Sequence, residues 1–175
     1  MDYRSLGVLV GAVIIFFAVF ISLVFARKAK KANEHYDERQ MAVRGIGYRI
    51  STVTMIIFLF VYGTCYGLTK DLVSPQFVVF AIAFLGVVVY SIYCIINDAY
   101  IQVGQNPKKW MAVIALVIAA NTFSALNSSE SGLTVNGLAT GAALNVLIII
   151  SFSVILITIL IKTALDKRGG SNEES

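Results

Sequence analysis

Five apolar runs, each close to the length that crosses a lipid bilayer, take up most of these 175 residues and leave no stretch long enough for a separate soluble domain. A hydrocarbon core about 30 Å thick needs roughly 20 helical residues, and lipid offers no partner to an unpaired backbone group, so runs of this kind can satisfy their peptide groups only as helices. They cover 6–26, 51–69, 77–96, 110–126 and 138–161. With 58% hydrophobic and 14% charged residues, the chain carries more apolar surface than a small water-soluble core can bury. The expected fold class is all-α: a polytopic membrane helical bundle of five transmembrane helices, forming one domain over 1–165. The last stretch, 166–175, has charges and turn formers without an apolar period and is expected to be a disordered tail.

Charge placement orients the bundle. Of the fourteen Lys and Arg residues, twelve fall in 27–49, 97–109 and 162–175, on alternate connections. The positive-inside rule therefore puts the amino terminus outside and the carboxyl terminus in the cytoplasm. The first run closes at Arg27, Lys28, Lys30 and Lys31, and its opening Met1-Asp2-Tyr3-Arg4-Ser5 and its ending Val24-Phe25-Ala26 do not suit a cleaved signal peptide, so it is expected to be retained. Those four cations are placed to contact anionic lipid headgroups, each gaining about 1 kcal/mol. Cys65 and Cys94 fall near opposite membrane faces in this topology and cannot pair within one chain.

Within the spans the polar chemistry is sparse. Gly63 and Gly67 stand four apart, as do Gly137 and Gly141, a spacing that lets helices approach closely and is compatible with a homo-oligomer. Asn121 and Asn145 are the deep polar groups, expected to face the bundle and to hydrogen-bond between helices, to each other in one arrangement. No acidic or basic residue lies deep in a span, which disfavours an ion-coupled path. The metalloprotease, nucleophile-elbow and phosphate-loop motifs are missing, and the single histidine, His35, sits with Glu34 and Glu38 in a surface stretch, so neither an enzyme, a metal site nor a cofactor is expected.

The segment after the first run is the richest in chemistry. Tyr36, Asp37, Glu38, Arg39 and Gln40 are followed by Arg44, Gly45, Ile46, Gly47, Tyr48 and Arg49 at the mouth of the second span. Arginine forks and amphipathic tyrosines suit docking of a cytoplasmic protein, and a helix up to Arg44 with a bend at Gly45 and Gly47 is expected. Asp98, closing the third span, is expected to pair with Arg44 or Arg49. This Y-D-E-R-Q … R-G-x-G-Y-R stretch resembles a signature of small multi-spanning membrane proteins of Gram-positive bacteria, the Firmicutes. The resemblance implies a multi-pass protein of the bacterial plasma membrane and brings no activity, substrate or cofactor with it; a small helix-turn-helix regulator is the partner it suggests. The resulting expectation is a non-enzymatic regulator or complex subunit that docks a partner through 27–49 and does not itself contact nucleic acid. The alternative is a small oligomeric transporter or channel for a neutral or small polar substrate.

Overall fold

The computed structural model describes residues 21, 36–69, 73–102, 105–127, 134–135 and 138–170. The chain divides into two units, Met1–Asp37 and Glu38–Ser175, each described by itself. In the first, Ile21 is helical, while the rest of the expected span 6–26 and the cations Arg27, Lys28, Lys30 and Lys31 lie outside the described residues. The second unit holds four helices among the described residues: α1 Glu38–Thr69, α2 Pro75–Ile96, α3 Pro107–Leu126 and α4 Gly141–Gly170. All four are long and apolar enough to cross a membrane.

Local chemistry sets most helix starts. Ser74 has extended backbone and accepts the Phe77 N–H at 3.1 Å, with Pro75 in the first helical turn, where its missing donor costs nothing. Asn106 and Pro107 repeat the device, Asn106 accepting the Lys108 N–H at 2.9 Å. Thr140 Oγ1 accepts the Ala143 N–H at 3.3 Å and opens α4. The last span therefore begins after the expected Leu138, because Leu138–Ala139 pair antiparallel with Thr134–Val135. The intervening Asn136-Gly137 is a sequence favoured in two-residue hairpins.

The helices pack in the order α1, α2, α4, α3. One apolar cluster joins three of them, with Ile95 from α2, Ile114 from α3 and Ile155 and Ile159 from α4. The α1–α2 contact has a different character, since it relies on small and polar groups. Ser51 Oγ donates to the Gly86 carbonyl at 2.7 Å, and Met55 lies over Gly86 where a Cβ would be. One turn earlier on α1, a Cβ built on Gly47 would meet Tyr93 Cδ1 at 3.2 Å and Cys94 Sγ at 3.3 Å.

Two expected boundaries are corrected here. α1 runs unbroken through Gly45 and Gly47, so these glycines form no hinge; Gly47 is where α2 comes close, and Gly45 faces open space. At the other end α4 continues to Gly170, through the first half of the stretch expected to be a disordered tail. A Lys162–Asp166 pair one turn apart, at 3.0 Å, and Lys167 near the carboxyl end of the helix dipole favour this extension.

Gly63 and Gly67 make no close approach among the described residues, for a Cβ at either position would meet nothing within 4 Å. A Gly63→Ala/Gly67→Ala variant is accordingly expected to gain helix propensity, about 1 kcal/mol per site, without a packing loss. Its thermal midpoint in detergent should equal or exceed that of the wild type. A clear fall would place another helix against this face.

Candidate functional site at the loop end of the bundle

Gln40, Arg44, Gly47 and Ser51 follow one another at helical spacings of four, three and four, which puts them on a single face of α1. That face meets the end of α2 and the residues 97–102 that follow it. α2 terminates by a pair of bonds that tie its end back on itself, Asp98 N–H to the Ile95 carbonyl at 3.2 Å and Ala99 N–H to the Cys94 carbonyl at 2.8 Å. This closure needs a left-handed residue at the turn, a place glycine usually takes. Asp98 occupies it with φ 57°, and Ala99 and Cys94, both fully buried, pack beneath it.

The loop is then held from two sides. From α1, Gln40 Nε2 donates to the Asp98 carbonyl at 2.9 Å and to the Ile101 carbonyl at 3.2 Å, and Arg44 Nη1 donates to the Ala99 carbonyl at 3.4 Å. Arg44 also lies 5.9 Å from the centroid of the Tyr90 ring, on which Tyr48 stacks at 4.4 Å. From α4, the Lys162 ammonium reaches the Asp98 carboxylate at 3.3 Å while also pairing with Asp166 at 3.0 Å. A cleft of about 200 Å3 remains between loop and α4, floored by Ile95 and Ile159 and edged by Tyr100, Asp98, Lys162 and Asp166. Beyond it, Trp110 Nε1 donates to Gln105 Oε1 at 2.8 Å and meets Tyr100 edge to face, which joins the start of α3 to the same loop. These groups supply donors to backbone carbonyls and balance one cation between two carboxylates. Among the described residues no three His, Cys, Asp or Glu side chains gather as metal ligands would.

The residues singled out from the sequence separate into distinct roles. Glu38 opens α1, where a carboxylate suits the amino-terminal end of the helix dipole. Gln40 is buried and Arg44 half-buried, both committed to the loop, whereas Arg39 and Arg49 are exposed and Tyr48 remains 56% exposed beside its stacked partner. Tyr36 and Asp37 precede α1 in the first unit, with Asp37 exposed. The expected pairing of Asp98 with Arg44 or Arg49 does not form: Lys162 takes the carboxylate, and Arg44 takes a carbonyl one residue further on. Asn121 and Asn145 do not bond each other either. Asn121 Nδ2 returns to the Val117 carbonyl of its own helix at 2.8 Å, and Asn145 Nδ2 crosses from α4 to Ser124 Oγ on α3 at 2.9 Å.

The clamp from Gln40, the role of Lys162 and the Ser51–Gly86 contact all escape a reading based on hydropathy. The signal that carries part of it is the stripe of polar and small residues Gln40, Arg44, Gly47 and Ser51, which marks a face of α1 turned toward protein. Nothing in the sequence around Asp98 reveals its left-handed backbone, because aspartate is only an occasional occupant of such positions. The fold and site define a class, an all-helical bundle whose helices are long and apolar enough to cross a membrane and whose α2 end is held by polar contacts from α1 and α4. Comparison with protein-family models, with curated proteins and with solved structures finds no match.

Proposed function

We propose that this chain is a non-enzymatic integral membrane protein of a bacterial plasma membrane, with five spans, its amino terminus outside and its carboxyl terminus cytoplasmic. Its task is to dock a cytoplasmic protein partner at the loop end of the bundle. The orientation is supported by Arg39, Arg44, Arg49, Lys108, Lys109, Lys162 and Lys167, which lie toward the end of the bundle where α1 and α3 start and α2 and α4 finish. Anionic headgroups on that side would meet Arg27, Lys28, Lys30 and Lys31.

The observation that carries the docking reading is the division of labour along α1. Gln40 and Arg44 turn inward to the loop, and Arg39, Ile46 and Arg49, at spacings of seven and three, share the outward face and are exposed. An apolar residue between two guanidinium forks suits a partner surface with carboxylates around an apolar patch, such as an acidic face of a small helix-turn-helix regulator. Of the docking residues read from the sequence, Glu38 borders this ridge, Tyr48 turns away from it to stack on Tyr90, and Gln40 and Arg44 lie on the opposite, inward side of α1.

Crosslinking and affinity purification from native membranes test the reading. An Arg39→Ala/Arg49→Ala variant should assemble normally and lose a partner that the wild type retains. If the double variant keeps every partner of the wild type, the ridge is not a docking surface.

A further inference from the structure

We infer that the cleft at Lys162 and an apolar groove adjoining it form one site for an aminophospholipid of the phosphatidylethanolamine kind, with the headgroup in the cleft and an acyl chain along the groove. The inference rests on the bundle lying in a bilayer and on no docking partner.

The two hollows share a wall. Next to the cleft of about 200 Å3 floored by Ile95 and Ile159 is a groove of about 420 Å3, and Lys162 and Asp166 line both. The rest of the groove is Ile96 from α2 with Thr158, Ile161 and Leu165 from α4. Its three large apolar side chains are more than half exposed. Thr158 turns its hydroxyl back to the Val154 carbonyl at 2.8 Å, which leaves the groove without a free polar group on that side. Lys162 follows directly on the apolar run 138–161, at the depth where lipid headgroups begin. The cleft is smaller than the roughly 300–1,000 Å3 of sites for drug-sized ligands, so it suits a headgroup and not a whole lipid.

Hydrogen-bonding capacity selects the headgroup. An ammonium has three donors, and Lys162 directs two of them to Asp98 Oδ1 at 3.3 Å and Asp166 Oδ1 at 3.0 Å. One N–H of Lys162 and the second oxygen of each carboxylate have no partner among the described residues. Both carboxylates are more than half exposed and open to a further donor. A phosphate oxygen answers the remaining donor, and a primary ammonium answers the two remaining acceptors. Phosphoethanolamine carries both groups, two carbons apart, and each contact is a charge-assisted one. A phosphatidylglycerol headgroup would set its phosphate against two carboxylates with no cation to offset them. Phosphatidylcholine has the cation, but its quaternary ammonium has no N–H to donate.

Quenching by phospholipids brominated on the acyl chain tests this on the full chain in phosphatidylcholine vesicles. The one tryptophan is removed as Trp110→Phe, and a reporter is placed in the groove as Leu165→Trp. Brominated phosphatidylethanolamine is expected to occupy the groove about threefold to tenfold more tightly than the choline or glycerol lipid, the range one net hydrogen bond supports. In an Asp98→Asn/Asp166→Asn background that preference should vanish, and phosphatidylglycerol, no longer facing carboxylates, should gain. Soluble phosphoethanolamine at the same concentration should leave the quenching unchanged. The site is overturned if the three lipids quench alike, if the preference survives the double substitution, or if the free headgroup displaces the lipid, which would leave the groove no part. Flotation with the vesicles checks the bilayer placement separately: a chain that does not float sinks that placement and the site together, whereas one that floats and shows no preference sinks the site alone.

Discussion

Gly86→Ala is expected to lower stability by about 1–3 kcal/mol, the usual cost of forcing a methyl group into a packed contact. The added Cβ would stand 2.7 Å from Met55 Cγ and against the sulfur, at the point where Ser51 already draws the α2 backbone in by bonding to the Gly86 carbonyl. Methionine is flexible, so part of the clash can be relieved by moving its thioether, but the Cγ is too near its own backbone to swing clear. The measurement is a denaturation midpoint in detergent for Gly86→Ala, Met55→Ala and the double variant. The double variant should recover most of the Gly86→Ala loss, giving a coupling energy well above the error of the cycle. Additive losses would mean that Met55 does not fill the space above Gly86.

Gln40→Leu should be the most damaging single change at the loop end. It keeps a side chain of similar size on a buried position but withdraws the donor shared by the Asp98 and Ile101 carbonyls, a loss of about 1–3 kcal/mol for a polar group left without its partner. Amide hydrogen exchange across 97–102 is the direct readout: the Asp98 and Ala99 N–H groups that close the end of α2 should exchange faster. Arg39→Ala, one residue away on the exposed side, should leave the same amides within about 0.5 kcal/mol of wild type. Equal protection in the two variants would sink the idea that Gln40 holds the loop.

The parts of this fold that the sequence makes legible are those written in local chemistry. Ser74 with Pro75 and Asn106 with Pro107 are helix-start signals of a standard kind, and α2 and α3 begin close to where hydropathy and those residues place them. α1 and α4 are longer than their apolar runs because a helix does not stop where an apolar run stops. At α1 the stretch with Gln40 and Arg44 is helical as expected, but the bend expected at Gly45 and Gly47 is replaced by a continuous helix, in which Gln40, Arg44 and Gly47 each have a partner on α2 or the following loop. Gly47 is ambiguous for the same reason: a glycine that permits a bend and one that admits a neighbouring helix are written identically. Of the two deep asparagines, Asn145 does cross between helices as its depth suggests, whereas Asn121 bonds its own turn. The competition among Arg44, Arg49 and Lys162 for Asp98 is settled by which helix lies beside which, and no spacing along the chain encodes that.

The packing order also bears on how the chain is made. α1 with α2 and α3 with α4 are neighbours in sequence as well as in space, while the α2–α4 seam joins residues far apart along the chain. The described bundle is therefore two helical hairpins, each able to form from contacts between neighbours in sequence, joined by one seam between them. Ile95 meets Ile155 and Ile159 at that seam, and Asp98 finds Lys162. A chain cut short before α4 would leave the apolar seam of the first hairpin, Ile95 with it, without the Ile155 and Ile159 that cover it.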